Sequence, residues 1–142
     1  MKKYLVLLLA LALFCGCSPD SINNSNKYLP NISFSLDIDM NLPLYNKLLY
    51  TADPLPINIE GKGLNGLIVM KTGDGYVAYE ASCPNQELNS CTGLTLKGIN
   101  AVCPCDKVEY SLFTGLATTK VKYPLKPYRV TIVSANVIRV YN

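Results

Sequence analysis

Ala81-Ser82-Cys83-Pro84-Asn85 and, further on, Ala101-Val102-Cys103-Pro104-Cys105-Asp106 are the two stretches on which the reading of this chain turns. A hairpin running through Gly75-Tyr76-Val77-Ala78-Tyr79-Glu80-Ala81 leads into the first, and a second strand delivers the other. Both carry Cys-Pro, in a chain of 142 residues with six cysteines and no histidine. Without histidine there is no side chain whose ordinary pKa suits a general base near neutral pH. Asp106 and Glu109 stand near the second box, but carboxylates on a turn are as a rule simply solvated. No catalytic residue is assigned.

Outward from the boxes the patterning is that of β structure. Leu67-Ile68-Val69-Met70 and Tyr76-Val77-Ala78-Tyr79 flank Thr72-Gly73-Asp74-Gly75, where Asp-Gly supplies the positive φ of a tight hairpin turn. Ile32, Phe34, Leu36 and Ile38 alternate with polar residues, the period of a half-buried strand. Ile57-Asn58-Ile59, Leu94-Thr95-Leu96, Val108 to Leu112 and Leu116 to Thr118 are shorter strand candidates, and Tyr128 to Val133 pairs with Val137 to Tyr141 around Ser134-Ala135-Asn136. Leu42 to Tyr50 holds a short helical turn at most. Many short strands separated by turn signals indicate an all-β, antiparallel sandwich or barrel-like domain.

The amino end reads as a targeting segment. Lys2 and Lys3 precede an apolar run from Tyr4 to Phe14, eleven residues and too short to span a bilayer as a helix. The run ends in Phe14-Cys15-Gly16-Cys17-Ser18, which looks like a bacterial lipoprotein signal with small Gly16 before the lipidated Cys17; Cys15 is excluded by the bulky Phe14 before it. An ordinary secretory peptide cleaved near the same place is the plainer alternative. The organisation expected is a signal peptide over 1–16, a lipidated Ser/Asn/Pro-rich tether over 17–30, and a β domain over 31–142. The protein is then exported and lipid-anchored in the bacterial cell envelope, outer membrane favoured, with several acyl chains needed for stable anchoring.

Removal of residues 1–16 takes Lys2 and Lys3 with it and leaves 11 basic against 10 acidic side chains, a net charge of +1 in place of +3. A nearly neutral chain without basic clusters gives no electrostatic case for nucleic acid. Processing also leaves Cys83, Cys91, Cys103 and Cys105 outside the cytoplasm. An even set there reads first as disulfides, with three connectivities open. Zinc is a competing reading, but Cys-x7-Cys and Cys-x-Cys match its usual ligand spacing poorly; a reactive dithiol is another.

From about Leu64 to Tyr141 the chain resembles the Rieske iron–sulfur family, whose Cys-x-His and Cys-x-x-His boxes supply two cysteines and two histidines to a two-iron cluster. Order and spacing agree too, through Tyr110-Ser111-Leu112, Thr114-Gly115, Pro124-Leu125 and the closing hairpin. The family's ligand positions fall on Cys83, Asn85, Cys103 and Asp106, so both histidines are replaced. An Asn amide is a poor ligand for ferric iron and Asp106 a plausible one, leaving Cys83, Cys103 and Asp106 as metal ligands if any metal is bound. Lys107-Val108 stands where the family often has Gly-Ser, and Tyr110 matches an aromatic that can donate to a ligand sulfur or simply fill the core.

The resemblance also implies the pairing. Cys91 and Cys105 match the disulfide that joins the boxes in high-potential members, although Cys91 lies eight residues after Cys83 rather than five. Two cysteines that share one iron are close enough to be bridged directly without it. The connectivity implied is Cys83–Cys103 with Cys91–Cys105, and a Cys103–Cys105 ring across one proline is the least favoured. The expectation is a membrane-anchored lipoprotein with a Rieske-like β domain that has lost its cluster and carries no cofactor. Its partners would be the membrane, through the lipid, and an envelope protein. The alternative is an electron-transfer protein with a [2Fe-2S] cluster on non-standard ligands.

Overall fold

The computed structural model describes residues 25–142. The signal peptide expected over residues 1–16, the expected lipidation site Cys17 and the first part of the expected tether lie outside the described residues. Among the described residues no helix is long and apolar enough to cross a membrane.

Among the described residues nine strands form two antiparallel sheets. The larger has six strands in the order β1-β9-β8-β4-β3-β2: β1 (Ser35–Asp39), β2 (Leu55–Ile57), β3 (Leu67–Lys71), β4 (Tyr76–Glu80), β8 (Pro127–Ser134) and β9 (Val137–Tyr141). The smaller is a meander of β5 (Thr95–Lys97), β6 (Asn100–Val102) and β7 (Glu109–Ser111). The only regular helix among the described residues is a 3-10 turn over Asn46–Leu49. An all-β antiparallel domain with two cysteine-box loops, the fold class expected from the sequence, is what the chain forms.

The apolar run of β3 explains how the sheets are joined. A strand exposed on one face alternates, whereas Leu67, Ile68, Val69 and Met70 are all buried. Their side chains part by the two-residue period. Leu67 and Val69 join Phe34, Ile38, Ile57, Tyr128, Ile138 and Val140 in one core. Ile68 and Met70 join Ala101, Cys103, Tyr110, Leu112 and Leu125 in a second. β3 is therefore the wall between a core closed by β1 and β9 and a core shared with the small sheet, and Cys83 and Cys103 belong to the latter. The β3–β4 hairpin, with Leu67 opposite Glu80 through Lys71 opposite Tyr76, is closed by a turn over residues 72–75, with Thr72 N–H on the Gly75 carbonyl at 2.7 Å; only Gly75 takes a positive φ, 152°, and Asp74, expected to share it, does not.

Several element bounds differ from the sequence expectation. The strand expected over Ile57–Ile59 is β2 at Leu55–Ile57, with Pro56 accommodated because the strand lies at the sheet edge. Beyond Ile57 the chain turns away under Gly66, where a Cβ would sit 2.5 Å from the Ile57 carbonyl oxygen. Leu116–Thr118 forms no strand and contributes a single bridge between Tyr110 and Ala117. Residues 26–30, assigned to the tether, are packed on the domain. Leu29 is fully buried, Asn26 Nδ2 donates to the Pro84 carbonyl at 2.8 Å, and the Tyr28 and Tyr123 rings meet edge-on. Composition alone hides this, because one leucine and one tyrosine in a polar stretch supply the anchors.

Candidate functional site

The two boxes hang from neighbouring strand ends. The first loop leaves β4 and is closed at its base by Cys83 N–H on the Thr92 carbonyl and Leu94 N–H on the Ala81 carbonyl, both 2.8 Å. The second joins β6 to β7 and is closed by Cys103 N–H on the Val108 carbonyl and Lys107 N–H on the Cys103 carbonyl, both 2.9 Å. Its tight return puts Lys107 at φ 63°, a left-handed conformation that glycine adopts without strain and that suits the glycine the Rieske family often has there. Asp106 Oδ1 accepts from Val108 N–H at 3.0 Å and steadies this turn.

The sulfurs lie in two tiers. Cys83 and Cys103 are fully buried and bonded to one another, with their Cα atoms 5.5 Å apart. Cys91 and Cys105 are half-buried and bonded, with Cα atoms 5.3 Å apart. The sulfurs of Cys83, Cys103 and Cys105 all lie within 4.8 Å of one another. Asn89 arranges the outer tier: its Oδ1 accepts from Cys91 N–H at 2.8 Å, and its own backbone exchanges hydrogen bonds with Thr92 Oγ1.

The two positions that the Rieske resemblance matches with histidines, Asn85 and Asp106, are both in use. Asn85 pairs with the backbone of Tyr123, its Nδ2 donating to the carbonyl at 2.8 Å and its Oδ1 accepting from the N–H at 2.9 Å. The same Nδ2 donates to the Tyr110 hydroxyl at 3.1 Å. Asp106 Oδ2 accepts from Gln86 Nε2 at 2.9 Å, a polar contact between the two boxes. Tyr110 is wholly buried in the core beneath them, and burial raises its phenol pKa against the lowering effect of the Asn85 hydrogen bond.

A second polar centre, at the base of the first loop, has no counterpart in the sequence reading. Glu80 is fully buried and accepts four hydrogen bonds: Leu64 N–H at 2.7 Å, Asn65 N–H at 3.0 Å, Ser82 Oγ at 2.9 Å and Tyr128 Oη at 2.7 Å. Burial, and then the adjoining Glu80 carboxylate, push the Tyr128 phenol far above its ordinary value. Lys126 is nearly buried as well, donating to the Leu29 and Pro30 carbonyls at 2.9 and 2.8 Å. Desolvation lowers its pKa and the Glu80 charge partly offsets that. An acid closing an apolar strand and a lysine between Leu125 and Pro127-Tyr128 are the signals that point here.

The residues present do not fit a two-iron cluster of the Rieske kind. Two of its ligands are nitrogens, and the one nitrogen offered, the Asn85 amide, is a poor donor to iron and is spent on Tyr123 and Tyr110. Asp106, expected as a third ligand, is not grouped with the sulfurs; the convergent third group is Cys105. The chemistry the arrangement supports directly is that of sulfur. Every buried side-chain nitrogen or oxygen among the described residues has a hydrogen-bond partner.

No protein-family model matches the chain, and no curated protein matches it. Among solved structures it is similar to the small subunit of an NADH-dependent nitrite reductase from Mycobacterium tuberculosis, at 13% identity over 79% of this chain and 97% of the other, with a TM-score of 0.48. It is similar also to the complex of reduced oxygenase and oxidized ferredoxin in carbazole 1,9a-dioxygenase, at 21% identity over 78% and 93% with a TM-score of 0.48. A ferredoxin of Sphingomonas yanoikuyae B1 matches at 19% identity over 66% and 88%, with a TM-score of 0.45. At these identities and TM-scores the likenesses establish no shared activity.

Proposed function

We propose that the protein is an exported, lipid-anchored envelope protein whose Rieske-like domain has exchanged its cluster for disulfides, and that it binds or scaffolds another envelope component rather than catalysing a reaction. The observation that carries this reading is Asn85. At a cluster-ligand position stands a side chain whose donor and acceptor are both spent on the Tyr123 backbone. The bonded Cys83 and Cys103 support it, since a thiolate in a disulfide is not available to iron. The lipid anchor rests on the Phe14-Cys15-Gly16-Cys17 signal alone.

A second reading, electron transfer through a non-standard [2Fe-2S] centre, is favoured by one observation, the convergence of the Cys83, Cys103 and Cys105 sulfurs. Iron and acid-labile sulfide analysis separates the two. Protein purified from its native envelope under anaerobic conditions is expected to contain neither in stoichiometric amount and to be colourless. Two irons and two sulfides per chain would overturn the cluster-free reading.

A further inference from the structure

We propose that the four cysteines form a two-tier thiol–disulfide relay, in which the outer Cys91–Cys105 bond exchanges with a dithiol of another protein and Cys105 carries the exchange inward to Cys83–Cys103. The proposal rests on the cluster-free reading of the site. Three observations carry it.

The tiers differ in access. Cys83 and Cys103 have no exposed surface, so an external thiol does not reach them while the domain is folded. Cys91 and Cys105 are half-buried at the loop tips, within reach of a partner. The tiers are also adjacent: the Cys105 sulfur lies within 4.8 Å of both sulfurs of the inner bond, and Cys91 is not a member of that group. Finally, the loops are held by contacts other than the outer bond. Asn85 on Tyr123, Gln86 on Asp106 and the backbone bonds of Cys83 and Cys103 do not depend on it.

The chemistry balances as two exchanges. A thiolate of the partner dithiol attacks Cys91 Sγ and expels Cys105 as a thiolate. The partner's second thiol then resolves the mixed disulfide and releases Cys91. The partner ends as a disulfide, and two electrons and two protons rest on Cys91 and Cys105. In the second exchange Cys105 Sγ bonds to Cys83 Sγ, the Cys83–Cys103 bond breaks, and Cys103 leaves with the electron pair and takes a proton from solvent. Attack on Cys83 is favoured over attack on Cys103, since a bond between Cys103 and Cys105 would close a small ring across Pro104. The buried pair thus becomes accessible to a redox partner that cannot touch it.

The test is a matched pair of variants, Cys91→Ala and Cys105→Ala. Each lacks the outer bond and so loses the same loop constraint, but only the first keeps the thiol that faces the inner sulfurs. Oxidised protein is held at mildly alkaline pH, quenched in acid to protonate thiolates, alkylated in denaturant and mapped. Cys91→Ala should show label on Cys103 at least about tenfold above that in Cys105→Ala, with a Cys83–Cys105 bond beside it. Label confined to Cys105 in iron-free protein overturns the relay and leaves the cluster-free reading standing. Stoichiometric iron and sulfide in the isolated protein overturn that reading and the relay together. Wild-type protein given one equivalent of a phosphine reductant keeps the test independent of variant folding. A one-bridge species labelled on Cys91 and Cys103 supports the relay, and labelling of Cys91 and Cys105 alone overturns it.

Discussion

Replacing Asn85 by alanine separates a structural clamp from a vacated ligand. The substitution removes three hydrogen bonds, two to the Tyr123 backbone and one to the Tyr110 hydroxyl. Each contributes about 1 kcal/mol net, and the deletion leaves a half-buried peptide group and a buried phenol without their partners. Both contacts to Tyr123 span 38 residues, so they tie the first box to the segment leading into β8 rather than ordering a local turn. The expected loss is about 2–3 kcal/mol, which for a domain of this size corresponds to roughly 8–12 °C in melting temperature. Urea unfolding of oxidised, iron-free protein measures it, with both disulfides intact in wild type and variant so that the unfolded reference is shared. Asn85→Asp should be worse, because an acceptor then faces the Tyr123 carbonyl at 2.8 Å where a donor stood. A change within about 0.5 kcal/mol for Asn85→Ala would refute the clamp. It would return position 85 to the class of ligand positions whose occupant matters only when metal is bound.

Three further outcomes are expected. Cys83→Ala with Cys103→Ala removes a link across a separation of 20 residues and should cost about 3 kcal/mol in the chain-entropy model, read as a fall in the urea midpoint; an unchanged midpoint would show that the inner bond carries no constraint. Stability should also fall at alkaline pH. The folded-state pKa of Tyr128 lies above its unfolded value, so its contribution is complete below about pH 10 and is lost as pH rises from there toward the folded-state value. Tyr79 and Tyr110 act in the same sense and Lys126, lowered by burial, in the opposite one, and Tyr128→Phe should flatten the decline. Last, Cys17→Ser should move the protein from the membrane fraction to the soluble exported fraction or leave it uncleaved, and undiminished lipid labelling would show that the anchoring cysteine was misassigned.

The parts of the fold legible in the sequence are those where one local rule decides. The turn residues between two apolar runs mark the β3–β4 hairpin, although only Gly75 of the Asp-Gly pair takes the positive φ, and the unbroken Leu67–Met70 run reports burial on both faces. What resisted reading depends on distant partners. Nothing local distinguishes Leu29 from a linker leucine; it is buried because Lys126, far along the chain, reaches the carbonyls around it. Glu80 reads as a surface acid at a strand end until the Gly63–Gly66 turn wraps over it, so tightly that a Cβ at Gly63 would stand 2.9 Å from its carboxylate. The box positions were legible as positions. The use made of Asn85 was not, because its partner is the backbone of Tyr123, and a backbone partner leaves no residue type to recognise.

In a two-iron site the metal is itself a cross-link, drawing two loops together through four side chains. Loops that give up the metal have to replace that constraint, or the entropy of freeing them is lost from the stability of the domain. On the proposed cluster-free reading, each of the four positions meets this requirement in its own way. Cys83 and Cys103 bond to one another, Asn85 is bound to the Tyr123 backbone, and Asp106 spans its own turn and reaches Gln86 on the opposite box. Cys91–Cys105 adds a second covalent link at the tips. The replacement differs from a cluster in its chemistry more than in its geometry. A cluster passes single electrons and leaves its ligands unchanged, whereas a disulfide passes electrons in pairs and changes which atoms are joined. On the proposed cluster-free reading, redox chemistry at this site is thiol exchange, and a thiol partner meets the half-buried outer bond before the fully buried inner one.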